Sequence, residues 1–277
     1  MVCVEPMDLS IIILNYKSRE LVKQCVKTIG LLAPKISYEI IVVDNASNDG
    51  VGAMLAERFP DVRFISSGVN SGFAAGNNLG IREAKGRYVV IMNPDITVLP
   101  GSLEEMMAFM DTNKNVGVMG PKLIHPDGSL DASCYRFPTT MIPVYRRTPL
   151  GSLPVGRRAI AEYLMEDYDH ETTRDVDWLL GAVLIVRREA LEKVGPLDER
   201  FFLYFEDTDW CRRFSEAGHR VVYHPVAKMV HYHERLSAQG PWFLSILRPS
   251  TRIHIASCVK YFSKWKDGKK DSKKVSA

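Results

Sequence analysis

The sequence predicts an α/β protein whose mostly parallel sheet is flanked by helices, and three observations carry that prediction. Short apolar, β-branched runs alternate with helical patterns four times within about the first 95 residues. The runs are almost continuously apolar, as expected of strands covered on both faces. Each run also ends in polar or acidic residues: Asn15-Tyr16, Asp44, the 70–80 loop and Asp95. Functional groups in parallel sheets gather beyond the carboxyl ends of the strands, so the same pattern predicts where the site lies.

Taken in order, residues 9–14 (LSIIIL) form a buried strand, and Ser18 caps a helix over 19–32 whose Leu21, Val22, Cys25, Val26 and Ile29 recur at helical spacing. A second strand, 38–43, ends in the turn Asp44-Asn-Ala-Ser-Asn-Asp-Gly50. A helix over 51–59, a strand over 62–66, a helix over 74–84 and a strand over 87–92 follow. Pro94 then turns the chain at Asn93-Pro-Asp95 before a helix near Gly101. The second half is less regular. Residues 134–175 are rich in Pro, Arg and Tyr and read as a long loop with a short helix. Residues 178–186 (WLLGAVLIV) read as one strand, 187–194 as a short helix, and 206–217 as a helix ended by Gly218. Short strands over 221–223 and 229–231 precede a basic-flanked helix over 241–265.

Composition narrows the function classes. The apolar fraction of 46% and charged fraction of 25% are those of a globular protein. No apolar run approaches the ~20 residues of a membrane span, and acids at the N-terminus replace the basic start of a signal peptide; a cytoplasmic protein is expected. The cysteines (3, 25, 134, 211 and 258) show no CxxC spacing, which argues against a zinc or iron–sulfur site. From Lys260 onward seven lysines face two aspartates, a balance of +5 out of a net +3, so the rest of the chain is −2. The positive charge is a tail, and nucleic acid is excluded as a partner. The tail is either solvated or a peripheral contact with an anionic membrane face.

The densest chemical signal is Phe201-Phe-Leu-Tyr-Phe-Glu206-Asp207-Thr-Asp209-Trp210, an aromatic run delivering three carboxylates within four positions. Glu206 and Asp207 there are either a tuned general base and its neighbour or acids at a helix N-terminus. Asp44 suits acceptance of a base N–H or ribose hydroxyl, or else an Asx turn. In Asn70-Ser-Gly-Phe-Ala-Ala-Gly-Asn-Asn-Leu-Gly80 the glycines repeat every four residues, and Asn77 and Asn78 either meet a nucleotide or close the turn. The segment is neither GxGxxG nor a P-loop, and no GxSxG nucleophile is present. Asp95 suits magnesium or manganese shared with a diphosphate. His231 and His233 lie on one strand face, and one of them joining Asp95 on a metal competes with a structural role.

The series LSIIILNYKS, EIIVVDNASNDG, NSGFAAGNNLG, VVIMNPD, LLGAVLIVRREAL and FFLYFEDTDWCRRFSEAGHRVVYHP, in order from about residue 8 to about 237, resembles family 2 of the inverting glycosyltransferases, in its rhamnosyltransferase-like branch. The resemblance implies a GT-A fold: a catalytic domain over 1–240, with 8–100 as nucleotide-sugar half and 101–240 as acceptor half, and 241–277 as C-terminal helix and basic tail. It implies that Asn15, Tyr16 and Asp44 hold the nucleoside, and that Asn70, Gly72, Phe73, Gly76 and Asn77 line the nucleotide-sugar site. The family's Asp-x-Asp metal motif appears as Asn93-Pro-Asp95, so Asp95 is the main protein ligand, with His231 favoured over His233 by its distance to Ser237. Asp207 would be the base beside Glu206, with Trp178, Gly181 and Ala182 near donor sugar and acceptor. The implied donor is a dTDP- or UDP-linked sugar with a divalent metal, and the implied acceptor a glycan or lipid-linked glycan of bacterial surface polysaccharide. Two competing readings are an inactive scaffold that only binds sugar nucleotide and a sugar nucleotidyltransferase. The latter needs a Gly-rich loop where this chain has NYKSREL.

Overall fold

The computed structural model describes residues 7–32, 34–232 and 248–271. The N-terminal half runs β1 (Leu9–Asn15), α1 (Arg19–Leu32), β2 (Tyr38–Asp44), α2 (Val51–Arg58), β3 (Arg63–Ser66), α3 (Gly72–Glu83), β4 (Tyr88–Met92), β5 (Ile96–Val98) and α4 (Ser102–Thr112). Then come β6 (Val116–Ile124), β7 (Leu130–Asp131), β8 (Cys134–Tyr135), α5 (Ile142–Tyr145), α6 (Pro154–Leu164), β9 (Arg174–Asp175), β10 (Trp178–Leu179) and β11 (Val183–Arg187). The chain finishes with α7 (Arg188–Val194), α8 (Glu206–Glu216), β12 (Arg220–His231) and α9 (Pro249–Asp271).

The main sheet has the order β3-β2-β1-β4-β11-β6-β12-β5. Strands β1 to β4 pair in parallel, and β6 pairs in parallel with β12, while β11 runs antiparallel between β4 and β6. Strand β1 is buried along its whole length. Its Leu9, Ile11 and Ile13 pack in one core layer with Val22, Cys25, Val26 and Ile29 of α1, and its Ile12 and Leu14 in the other with Ala74 and Ile81 of α3. Two-sided burial is why these strands read as unbroken apolar runs; each fully buried Ile or Leu contributes about 1.5–3 kcal/mol.

Four expectations change. The run 178–186 is not one strand: Trp178–Leu179 pairs with β8, the chain turns at 180–182, and only Val183–Arg187 enters the main sheet. The two short strands at 221–231 are one, β12, with a register irregularity between His224 and Lys228 that absorbs Pro225. Residues 134–175 contain the 11-residue helix α6 as well as the short α5. Strand β6 carries no sequence signal because Gly117, Gly120 and Pro121 interrupt it. A Cβ at Gly117 would lie 2.8 Å from His219 and Phe214 side-chain atoms, so close packing sets that residue against strand propensity. Of the helix expected over 241–265, residues 241–247 lie outside the described residues, as does His233; α9 is described from Pro249.

Candidate active site

Asn15 and Asp44 are the last register pair of β1 and β2, so the sheet itself brings them together. The buried Asn15 amide donates to Asp44 Oδ1 (2.8 Å), Ser47 Oγ (3.0 Å) and Asp49 Oδ2 (3.1 Å). Asp44 also accepts from the Ser47 N–H, so the Asx-turn role that the sequence allowed is present. Tyr16 stands half-exposed beside them. Asn45, for which the sequence offered only an Asx-turn role beside Asp44, knits the next loop. Its amide donates to Asn70 Oδ1 and the Gly72 carbonyl, and its Oδ1 accepts the Ser71 N–H, each at 3.0 Å.

Within the glycine-rich segment the residues separate. Gly72 has φ +88°, and a Cβ there would meet the Phe202 carbonyl oxygen at 2.3 Å; only glycine fits. The neighbouring Phe73 N–H donates to that same carbonyl (2.7 Å), tying this loop to the aromatic run. Gly76 faces Leu14 of β1 at a separation that excludes a Cβ. Asn77 is buried and gives its amide to the Phe73 carbonyl, and Asn78 binds Leu197 and Glu199; both side chains are spent on the fold.

Asp95 and His231 are adjacent. His231 Nε2 lies 3.5 Å from Asp95 Oδ2, and His231 Nδ1 lies 2.7 Å from Asp131 Oδ2. Burial works against charge on His231, but hydrogen bonds from Asp131 and Asp95 outweigh it and raise its pKa to about 9. Asp95 Oδ1 is buried without a hydrogen-bond partner. A buried carboxylate oxygen without a donor, beside an imidazole nitrogen whose ring is oriented by another carboxylate, is a donor set that fits a hard divalent cation completed by substrate oxygens. Asp131, on the two-residue strand β7, was missed because its partner is 100 residues away and nothing local marks it.

Asp207 and Glu206 open helix α8. The turn before them is strained: Tyr204 and Phe205 have φ +70° and +69°. Packing holds that turn, because Phe201 and Phe205 cluster with Tyr261 of α9, and Tyr204 and Phe205 lie against His254. The aromatic run thus anchors the backbone that aims the carboxylates. Asp207 Oδ2 accepts the Gly181 N–H (2.9 Å), and Oδ1 accepts the Thr208 N–H (2.7 Å) and the Thr208 hydroxyl. Burial raises its pKa, and these donors offset part of that rise. Glu206 is pushed well above the usual carboxylate range, first by burial and then by the Asp207 charge, and its Oε2 has no hydrogen-bond partner. Glu206 therefore holds a proton more firmly than Asp207, whose three donors favour the charged form. Asp209, the third acid, is fully buried and bound by Arg213, Lys264 and Trp265; it locks α9 to α8.

Phe73, Asn93, Trp178, Gly181, Ala182, Glu206, Asp207 and His231 share the lining of one cavity of about 960 Å3, whereas Asn15, Tyr16, Asp44, Asn70, Gly72 and Asp95 are not part of that lining. The Asn93 N–H donates to the Ala182 carbonyl (2.8 Å), so the turn 180–182 is bonded to the Asp95 loop on one side and to Asp207 on the other. Trp178 stacks on Tyr135 at 4.5 Å and donates to the Arg136 carbonyl. Ser250, Thr251 and His254 of α9 also line the cavity, which makes this helix part of the site.

Known proteins resemble this chain in sequence and in fold. A family model described as Glycosyl transferase family 2 matches residues 10–194. An N-acetylglucosaminyl-diphospho-decaprenol L-rhamnosyltransferase of Mycobacterium tuberculosis is 31% identical over 237 residues, covering 81% of this chain and 76% of that protein. Rhamnosyltransferase WbbL of Escherichia coli K12 is 25% identical over 264 residues, 92% of either chain. Among solved structures, the mannosyltransferase PcManGT from Pyrobaculum calidifontis, in complex with GDP-Man and Mn2+, matches with TM-score 0.56 at 20% identity, over 84% of this chain and 61% of that one. GalNAc-T7 with UDP, GalNAc and Mn2+ matches with TM-score 0.64 at 13% identity, over 85% of this chain and 45% of that one. These two likenesses are of fold, and the fold is GT-A. With two thirds of its length matched by the family model, the chain belongs to glycosyltransferase family 2.

Proposed function

We propose that this glycosyltransferase is an inverting, metal-assisted enzyme that moves a deoxyhexose, rhamnose by analogy with its relatives, from a dTDP- or UDP-linked donor to a hydroxyl of a glycan or lipid-linked glycan. The observation that carries the reading is the division of labour between Glu206 and Asp207 at the mouth of α8, in the cavity that is also lined by His231, the neighbour of Asp95. A sugar hydroxyl attacks only as its proton departs, and Asp207 is the ionised group placed to take it. The acceptor oxygen bonds to the anomeric carbon while the bond from that carbon to the diphosphate breaks. The proton passes to Asp207 and the pair of electrons leaves with the nucleoside diphosphate. One displacement inverts the anomeric centre.

Residues 8–100 serve as the nucleotide-sugar half, with Tyr16 and Asp44 toward the nucleoside and Asn70, Gly72 and Phe73 along the sugar nucleotide; residues 101–240 serve as the acceptor half. Magnesium or manganese, held by Asp95 and His231, would neutralise charge on the leaving diphosphate. Asp131 keeps the His231 ring oriented for that purpose. Gly181 and Ala182 hold the two ends of the reaction at fixed separation. An inactive scaffold has no use for a carboxylate pair with separated protonation, and this disfavours it.

The test is a thermal-shift and transfer panel of dTDP, UDP, GDP and CMP with their sugars, with and without manganese. Selective stabilisation by one diphosphate, enhanced by metal, and product of inverted configuration are expected. Stabilisation by a sugar nucleotide with no transfer to any acceptor would return the scaffold reading, and no shift with any nucleotide would overturn the donor site.

A further inference from the structure

The fold gathers much of its exposed apolar surface on two segments beside the cavity. Of the sixteen large apolar side chains exposed among the described residues, seven lie on these segments. Met141, Val144, Leu150, Leu153 and Val155 belong to α5, the start of α6 and the connection between them. On α9, Arg252, Ile255, Val259, Ser263 and Lys266 recur at spacings of three and four and are all exposed, so they form one flank of that helix. Both segments reach the cavity lining, through Arg147, Thr148 and Ser152 on one and Ser250, Thr251 and His254 on the other.

Charge on these segments has one sign. Residues 141–161 hold Arg146, Arg147, Arg157 and Arg158 and no acid. Residues 248–266 hold five further cations and again no acid; of the five, Lys264 is held by Asp198 and Asp209. Arg146, Arg157 and Arg158 are exposed. An exposed apolar patch of this kind marks a surface that docks on something, and the charge selects what. A face that is apolar and cationic but free of acids is a poor match for a protein surface that mixes both signs. It matches an anionic bilayer, whose acyl region takes apolar side chains and whose phosphates take guanidinium groups.

We propose that the exposed side of residues 141–158, together with the flank of α9 that carries Ile255 and Val259, docks on an anionic lipid bilayer surface. Leu150, Leu153 and Val155 enter the boundary between headgroups and acyl chains. Arg157 and Arg158 remain at the lipid phosphates with their stems along the apolar side chains. Docking holds the cavity that contains Glu206 and Asp207 at the bilayer surface, because the same two segments line it. The inference is independent of the transfer reaction proposed above, and it gives the folded domain a membrane contact of its own beside the lysine tail.

The test is co-sedimentation of the full chain with vesicles of phosphatidylcholine alone, and of phosphatidylcholine and phosphatidylglycerol in equal parts. The wild type is expected to prefer the anionic vesicles and to lose part of that preference as salt is raised. L150S/L153S/V155S is expected to bind them roughly a hundredfold more weakly, the scale of three partly inserted side chains, with circular dichroism and melting temperature unchanged. R157Q/R158Q keeps the apolar residues and is expected to lose roughly tenfold or more on anionic vesicles, with no loss on neutral ones. Wild-type affinity in both variants overturns the proposal, by leaving the lysine tail as the whole contact. Equal wild-type binding to the two kinds of vesicle overturns it as well, since charge would then play no part. A wild type that ignores vesicles but dimerises, with L150S/L153S/V155S monomeric, also overturns it and makes this face an interface between copies of the chain.

Discussion

At the scale of single residues, the difference between two adjacent carboxylates decides the chemistry. Asp207 receives three donors and Glu206 Oε2 none, although both are buried. Asp207→Asn is expected to lower turnover by at least ~100-fold with nucleotide affinity retained, measured by initial rates and calorimetry. Glu206→Gln, which mimics the protonated acid already present, is expected to keep most of the activity. The same burial has a stability signature. A carboxyl whose pKa is raised on folding stabilises the protein fully below its unfolded value of 4.5 and loses that contribution as pH rises through the folded value. The melting temperature of Glu206→Gln should therefore gain on the wild type as pH rises above 4.5; parallel melting curves across pH would refute the assignment. Asp131→Asn is expected to weaken manganese binding by roughly 10- to 100-fold while metal-free nucleotide binding is unchanged, because Asp131 acts on the metal only through His231. Asp207 and Asp95 were legible because motif and strand end coincide. Asp131 and Asn45 were not, since their roles exist only through partners brought by the fold.

At the scale of elements, the segment before α8 and the helix α9 are one construction. The strained turn at Tyr204-Phe205 is affordable because Phe201, Phe205 and Tyr261 pack together and Asp209 binds Lys264 and Trp265. Asp209→Ala leaves Arg213 without its buried counter-charge and Lys264 with Asp198 alone, and is expected to cost about 3 kcal/mol, read from chemical denaturation. Limited proteolysis should then cut α9 faster than the rest of the chain; unchanged cutting would show that the aromatic cluster alone holds it. The parallel strands β1, β2 and β4 were legible from two-sided apolar runs. Strand β6 was hidden because close neighbours crowd a Cβ at 117 and Gly120 and Pro121 follow, so local propensity points away from a strand. The turn at 180–182 was hidden for the opposite reason: apolar residues continue through it, although Gly181 leaves the sheet to meet Asp207.

At the scale of the whole molecule, charge and site are separated. No helix among the described residues is long and apolar enough to cross a membrane. The C-terminal lysines begin within α9, whose Tyr261, Lys264 and Trp265 are needed for packing, so a deletion from Lys260 would damage the fold as well as the charge. Replacing Lys269, Lys270, Lys273 and Lys274 by serine keeps the packing residues. Binding to vesicles rich in anionic lipid at low salt is expected to fall by roughly a hundredfold or more in this variant, since each of the four lysines near such a surface contributes about 1 kcal/mol. Undiminished binding would show that these lysines make no membrane contact.

The sequence by itself determined the alternating α/β plan, the strand ends that carry Asp44 and Asp95, and the motif that carries Asp207, because each is a local pattern: a period, a turn residue, a short run. Only the tertiary structure decided that His231 stands between Asp95 and Asp131, that Gly181 donates to Asp207, and that Ser250, Thr251 and His254 of α9 line the cavity that holds Glu206 and Asp207. Each of these is a relation between residues far apart in the chain. Hydrogen-bond donors and burial set the protonation of a carboxylate, and neither is a property of its sequence neighbours.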